Sequence, residues 1–242
     1  MMTAARVAYF DCASGASGEM FLGALVSAGL LEADLRDVVE PLREAGAAFT
    51  LEARAVSKGP VAAIEVRIGG QVPDVRARLG DMQALIRSAR LAPALASRSI
   101  AILERLTEAE ARVAGERPGD HVFDGTRGID AVVAAVGVVG ALATLEVGTV
   151  MSSPVNVGQA DPVVSALLHA APTYEDSPGL LLVDAPGAAL LAEIVSEWPA
   201  SPPFAGGEIG YGAGRRDLPR PNVMRCFLGY GTIPRATDQA PS

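Results

Sequence analysis

The chain carries, close to its start, the stretch RVAYFDCASGASGEMFLGALV at residues 6–26. Its apolar beginning, residues 6–10, stops at Asp11, as is typical of a buried strand. Small and polar residues continue as far as Gly18, and an apolar segment resumes at Met20. This order predicts a strand, a glycine- and serine-rich loop and a helix, the beginning of an α/β fold.

Hydrophobic periodicity predicts the other elements. Helices are predicted over residues 19–26, 31–42, 81–88, 93–113, 127–145, 163–168 and 187–197. Strands are predicted over residues 49–56, 63–68, 147–155, 208–212 and 222–228. Together they predict an α/β fold, an α+β two-layer sandwich in which a mixed sheet packs against helices. We expect a single domain over residues 1–231 and a disordered tail over residues 232–242.

The composition excludes several classes of protein. The 242 residues are 50% hydrophobic and carry a net charge of -8. This is too apolar for a disordered chain, and a nucleic-acid interface needs clustered positive charge. The longest apolar run, residues 131–145, is shorter than the roughly 20 residues that cross a bilayer, so no membrane contact is expected. Two cysteines far apart and no recognisable signal peptide predict a cytoplasmic location.

The first candidate site is the early loop, residues 11–18, which reads DCASGASG. Its glycines allow backbone N–H groups to point inward, and the helix that follows adds a positive dipole end, a combination that can hold phosphate. Asp11, at the end of the strand, is a candidate magnesium ligand. The pattern also fits a plain helix start, in which Ser17 caps the helix and Glu19 favours its positive end.

The second candidate site is the late turn, residues 210–217, which reads GYGAGRRD. Glycines at alternate positions clear side chains from one surface, and the arginine pair can grip a phosphate or carboxylate. The alternative is a glycine-rich hairpin whose arginines face solvent or pair with Asp217.

Three single residues have open interpretations. Cys12 is either a metal ligand with a lowered thiol pKa or a buried structural cysteine. His121, beside Asp120 and Asp124, is either a metal ligand or part of an ordinary acidic loop. Asp130 is either a carboxylate favoured by the helix dipole or a metal or substrate contact.

Four segments together carry a family resemblance: YFDCASGASGEMFLGAL at residues 9–25, EAEARVAG at 108–115, GIDAV at 128–132, and IGYGAGRRD at 209–217 with PNV at 221–223. With them the sequence resembles the LarC family, which inserts nickel into pyridinium-3,5-bisthiocarboxylic acid mononucleotide, the nickel-pincer cofactor of lactate racemase. These stretches are spread in the family's order over nearly the whole chain.

The resemblance implies a metal insertase of the lyase class that uses CTP with magnesium or manganese and acts on a nucleotide-like small molecule. Combined with the candidates above, it implies catalytic roles for Asp11 and Asp130 and metal contacts at Asp11, Cys12 and His121. The expected cofactor-binding residues are Ser14, Gly15, Ser17, Gly18, Gly212, Gly214 and Arg216. The expected partners are a separate C-terminal LarC polypeptide and further copies of this chain.

The sequence departs from the family's pattern in its histidines. Residues 76–81, RARLGD, occupy the place of a His-x-His pair, and residues 121–125 keep one histidine of a His-Phe-His-Glu stretch. Because nickel favours imidazole and thiolate ligands, we expect weak nickel affinity. The alternative function is therefore a divergent paralogue, a non-catalytic module or subunit that binds a nucleotide or the cofactor. In either case Asp11, Ser17, Asp130 and Arg216 are expected to share one cleft.

Overall fold

The computed structural model describes residues 5–70, 76–159, 161–204 and 207–231. The strands within these ranges are β1 (Ala5–Asp11), β2 (Phe49–Lys58), β3 (Val61–Gly70), β4 (Val147–Ser152), β5 (Val155–Asn156), β6 (Thr173–Tyr174), β7 (Glu208–Ala213) and β8 (Val223–Gly231). The helices are α1 (Gly18–Ser27), α2 (Glu32–Glu44), α3 (Leu79–Ser88), α4 (Pro93–Ala114), α5 (Arg127–Thr144), α6 (Pro162–Leu167) and α7 (Ala185–Ile194). The predicted tail, residues 232–242, lies outside the described residues.

The main sheet is mixed, as the sequence predicted. Its strand order is β2-β3-β7-β8-β1-β4. Strand β1 pairs parallel to β4 and antiparallel to β8, and β3 pairs parallel to β7. With helices packed against this sheet, the predicted α/β class is confirmed.

Side chains along β1 point alternately to the two faces of the sheet. Ala8 and Phe10 belong to the large core that the helices share, whereas Val7 and Tyr9 join Met151 in a smaller cluster on the other face. Asp11 follows the same alternation and therefore points away from the helices. This orientation decides where its carboxylate lies.

Helix α5 forms the centre of the helical layer. It packs against α1, α2 and α4. By length and composition it is apolar enough to cross a membrane, yet 72% of it is buried inside the protein. Its all-round apolar surface is therefore explained by burial in the core.

Alternate glycines in β7 allow α1 to lie directly on the sheet. A Cβ at Gly210 would overlap the carbonyl oxygen of Ala24, and a Cβ at Gly212 would overlap that of Met20. The sequence predicted a surface cleared of side chains at these positions. Helix α1 occupies that surface, so the two strand glycines serve helix packing.

The strand predicted over residues 147–155 is divided in the structure. Strand β4 ends at Ser152, and the chain then joins β5, which pairs with β6 in a separate small sheet. Between them stands Pro154, which has no N–H to continue a ladder. The expectation of one continuous strand is therefore wrong.

Candidate functional site

One cavity of about 720 Å³ opens where several helices begin, and this volume is in the range of small-molecule sites. Its lining includes residues from the first turns of α1, α5, α6 and α7, the last turns of α4, and the turn between β7 and β8. The polar and charged lining residues are Ser14, Ser17, Glu19, Glu110, His121, Arg127, Asp130, Asp161, Asp184, Arg215, Arg216 and Asn222. The cavity brings parts of both candidate sites together.

The early loop reaches the cavity through its last residues. Ser17 caps α1, because its Oγ accepts a hydrogen bond of 3.2 Å from the N–H of Met20. The N–H groups of Cys12, Ala13 and Gly15 already donate within the protein, to Ser153 Oγ, Asp11 Oδ1 and the Cys12 carbonyl. The capping interpretation of Ser17 is confirmed, and these three donors are not available to a ligand.

Gly15 allows the segment before α7 to lie against the early loop. Its φ of +90° suits glycine, and a Cβ would overlap the carbonyl oxygen of Leu182. Ala16 pairs with Val183 in parallel, and the N–H of Asp184 donates to the Ala16 carbonyl at 3.1 Å. These contacts place Asp184 beside the beginning of α1.

Asp184 caps α7 and faces the open space of the cavity. Its Oδ1 accepts a hydrogen bond of 2.7 Å from the N–H of Gly187. The side chain is exposed to the cavity, yet the cavity walls displace part of its water and so raise the pKa of this carboxyl to about 6. The charge of Glu19 acts in the same direction. The Gly187 hydrogen bond and the charges of Arg215 and Arg216 oppose the rise.

The two arginines of the late turn have different partners. Arg215 forms a two-pronged ion pair with Glu19, at 2.6 and 2.5 Å, and so ties the turn to α1. Arg216 donates from Nη1 to the carbonyl of Leu181 at 2.6 Å. Within the described ranges no carboxylate forms an ion pair with Arg216, and a guanidinium has five N–H donors. Arg216 therefore has positive charge and donors available for an anion.

A charged network forms the far end of the cavity. His121 is buried, and its Nε2 and Nδ1 lie 3.0 Å from carboxylate oxygens of Glu110 and Glu116. Each ring nitrogen of the imidazole therefore has a carboxylate partner. Arg127 donates to Glu110 at 2.5 Å, and Phe123 packs edge-on against the imidazole. The neighbours Asp120 and Asp124 expected from the sequence are not the partners of His121.

Asp130 lies on α5, between the late turn and the charged network around His121. It accepts a hydrogen bond of 2.8 Å from Thr126 Oγ1, at the beginning of the helix. With Ser17 and Arg216 it makes three of the four residues that were expected to converge. The contribution of each to chemistry stays a prediction.

Asp11, the fourth of these residues, is not part of the cavity lining in the described chain. It lies on the face of the sheet that points away from the helices, pairs with Arg225, and accepts from the N–H of Ala13 at 3.0 Å. The expected convergence thus holds without Asp11. The physical reason is the alternation of side chains along β1.

Of the remaining predicted site residues, some line the cavity and others do not. Ser14, Gly18 and Gly214 line it, whereas Gly15 packs against Leu182 and Gly212 lies under α1. Cys12 is fully buried, and burial raises the pKa of its thiol to about 12. Among the described residues no three His, Cys, Asp or Glu side chains group to hold a metal ion.

Sequence reasoning missed Asp184 and did not weigh Glu110 or Arg127. The Asp-Ala-Pro order at residues 184–186 is a recognisable helix start, and this local signal was available. What no local pattern indicates is that the segment lies beside residue 16.

Comparison with known proteins identifies relatives of the chain. The family described as nickel insertion protein matches residues 8–241. A pyridinium-3,5-bisthiocarboxylic acid mononucleotide nickel insertion protein of Desulfitobacterium hafniense is 32% identical over 240 residues, which cover 93% of this chain and 58% of that protein. The protein of the same name from a Nocardioides species is 34% identical over 237 residues, which cover 92% of this chain and 59% of that protein.

A relative from Roseiflexus castenholzii is 35% identical over 238 residues, which cover 93% of this chain and 59% of that protein. The chain thus spans about three fifths of the length of the curated relatives that it matches. No solved structure matches the chain.

Proposed function

The chain belongs to the nickel insertion protein family, and we propose that it is the substrate-binding part of a protein that inserts nickel into pyridinium-3,5-bisthiocarboxylic acid mononucleotide. The observation that carries the proposal is the cavity of about 720 Å³ beside Ser17 and Arg216. Its size suits a mononucleotide, and Arg216 has the charge and donors to hold a phosphate.

Ser17 and the first turn of α1 support this phosphate position. The hydroxyl hydrogen of Ser17 remains available to donate, since its oxygen accepts from Met20. The positive end of the α1 dipole lies at the same point, and helix beginnings favour anions. A phosphate between Ser17 and Arg216 would therefore meet donors from two elements.

Nickel is a substrate of the proposed reaction, and the chain's own donors fit it poorly. The two ring nitrogens of His121 face Glu110 and Glu116, and the Cys12 thiol is buried with a raised pKa. The thiocarboxylate groups of the mononucleotide are soft donors of the kind that bind nickel well. In this proposal the protein holds the mononucleotide, and the mononucleotide supplies the main ligands of the nickel.

CTP with magnesium or manganese is a further proposed requirement. Magnesium is usually held by one or two carboxylates together with phosphate oxygens, so it does not need a cluster of three protein ligands. Asp130 is a single carboxylate in the cavity that fits this donor set. It would hold a metal bound to the triphosphate, and the metal would neutralise part of its charge.

Calorimetric titration of the chain with the bisthiocarboxylic mononucleotide tests the binding proposal. We expect saturable binding, and much weaker nickel binding to the chain alone than to the chain with the mononucleotide. Absence of any heat or thermal shift with the mononucleotide would contradict the proposal. The full-length relative from Desulfitobacterium hafniense is the positive control.

A second candidate function is a binding module without metal transfer. It is favoured by one observation, the engagement of both His121 ring nitrogens by carboxylates. Mass spectrometry of reactions with the mononucleotide, nickel, CTP and magnesium or manganese separates the two functions. Nickel-containing product supports insertion, and tight binding without product supports the binding module.

A further inference from the structure

The charges in the cavity divide into those with an ion-pair partner and those without one. Glu19 forms an ion pair with Arg215, and Glu110 forms one with Arg127. Within the described ranges, Asp184 and Arg216 form no ion pair, although both line the cavity. They therefore present opposite charges to a ligand.

These two charges lie close together in the fold. Arg216 is held by the carbonyl of Leu181, three residues before Asp184. An extended segment of three residues spans about 10 Å at most. The charge of Arg216 also opposes the rise in the pKa of the Asp184 carboxyl. Asp184 therefore lies closer than Arg127 to the proposed phosphate position beside Arg216.

Arg127 lies farther along the cavity. Ala134 of α5 meets α1 at Gly18, where a Cβ would lie 2.6 Å from the Ala134 Cβ. From Ala134 back to Arg127 the helix covers about 10 Å, seven residues at 1.5 Å each. Arg127 uses one donor on Glu110, and its side chain is 58% exposed, so other donors face the cavity end. The order of charges is therefore Arg216, then the carboxylates of Asp184 and Asp130, then Arg127.

A pyridinium mononucleotide that carries acid groups on its ring has the complementary order. Its phosphate is negative, its ring nitrogen is positive and bears the ribose, and the acid groups on the opposite side of the ring are negative. The three charges of the ligand and those of the cavity thus alternate in the same sequence with opposite sign.

We propose that Asp184 selects ligands with a positively charged ring, while Arg216 holds the phosphate and Arg127 receives the ring's acid groups. This orientation rests on the proposed function and adds to it the residue that distinguishes a pyridinium ring from a neutral base. Electrostatic selection of this kind suits a cavity, where charges are screened less than at an open surface.

Three related mononucleotides test the proposal by calorimetric titration of the chain. Nicotinate mononucleotide has the ring charge and one acid group, nicotinamide mononucleotide has the ring charge alone, and reduced nicotinamide mononucleotide has neither. We expect affinity to fall about tenfold at each step in this order, which corresponds to one well-placed charge contact.

Substitutions test which residue is responsible for each of the two falls in affinity. Asp184→Asn should remove the preference for nicotinamide mononucleotide over its reduced form, and Asp184→Ser serves as a second variant, since both replacements can cap α7. Arg127→Gln should remove the preference for the nicotinate form. Asp161→Asn makes the same chemical change at another capping residue in the cavity and should leave both preferences intact.

The outcomes separate this inference from the proposed function. If the unaltered chain binds all three ligands equally, or if the ring preference survives in both Asp184 variants, the inference is overturned while mononucleotide binding stands. Loss of the ring preference in Asp161→Asn alone also overturns it. If neither these ligands nor the bisthiocarboxylic mononucleotide binds, the proposed function fails, and the inference fails with it.

Discussion

The early loop and the late turn share a composition of small residues and glycines, yet glycine has different uses in them. In the early loop Gly15 adopts a positive φ and lets residues 181–184 approach. In the late segment Gly210 and Gly212 sit in a strand and let α1 lie on the sheet. The polar groups that reach the cavity come from the ends of both segments, chiefly Ser17 and Arg216.

The difference shows that glycine content alone does not identify a ligand-binding backbone. A glycine can equally permit two parts of the protein to touch, and a helix or strand then fills the space that a ligand was expected to fill. The partners of the neighbouring side chains distinguish the two cases. Arg215 and Arg216 are adjacent in sequence, and only Arg215 is committed to an ion pair within the described chain.

The largest expected effect comes from a substitution at Gly212, the glycine of β7 that allows α1 to pack on the sheet. Gly212→Ala should destabilise the protein by about 3 kcal/mol, because the added Cβ would overlap backbone of α1 and force the helix from the sheet. Urea unfolding followed by circular dichroism measures the loss. Gly80→Ala, at an open position in α3, is the control and should be neutral or slightly stabilising. An unchanged stability of Gly212→Ala would contradict the packing argument.

The second prediction tests the ligand-facing arginine. Arg216→Ala should weaken nicotinamide mononucleotide binding about thirtyfold, since it removes charged hydrogen bonds to the phosphate. Calorimetry measures the affinity, and the melting temperature should change little. Arg220→Ala is the matched control, because Arg220 pairs with Asp176 outside the cavity lining. Equal losses in the two variants would show that general positive charge, and no specific contact, is responsible.

The third prediction tests the structural arginine. Arg215→Ala should reduce stability by about 1 kcal/mol, because Glu19 loses its two-pronged partner while keeping the N–H of Ile68. Thermal unfolding at low and high salt measures the change, which should be smaller at high salt. If Arg215→Ala weakens ligand binding as much as Arg216→Ala does, the division of roles between the two arginines is wrong.

The smallest expected effect concerns the pH dependence of stability. The pKa of Asp184 is raised to about 6 from an ordinary value of 3.8, so the folded protein holds this proton more tightly than the unfolded chain does. Its contribution to stability therefore falls as the pH rises from about 4 to about 6 and stays low above that.

Asp184→Asn should remove the loss of stability that accompanies ionisation of the Asp184 carboxyl. The variant should be more stable than the unaltered protein at pH 7.5, by less than about 1 kcal/mol because solvent in the cavity screens the charge. The difference should shrink toward pH 4, and melting temperatures across this range measure it. A variant that is equally or less stable at pH 7.5 would show that ionised Asp184 does not oppose folding.

Much of the fold could be predicted because its determinants are local. The stripe of apolar residues in α2, the alternation in β2 and β3, and the strand, loop and helix at residues 6–26 each depend on neighbours in sequence. The division of the strand over residues 147–155 was missed, although Pro154 was a local signal for it. The cavity position of Ser17, Asp130 and Arg216 was expected, and that of Asp11 was not found.

The sequence by itself determined most of the elements, the resemblance to a family and several residues of the cavity, because periodicity, caps and motifs depend on adjacent positions. Only the tertiary structure decided which charges face a ligand. Contacts between segments far apart in the chain decide which of Arg215 and Arg216 forms an ion pair with a carboxylate. Such contacts also place Asp184 beside residue 16. Such contacts follow from the packing of the sheet and helices as a whole, which no single segment specifies.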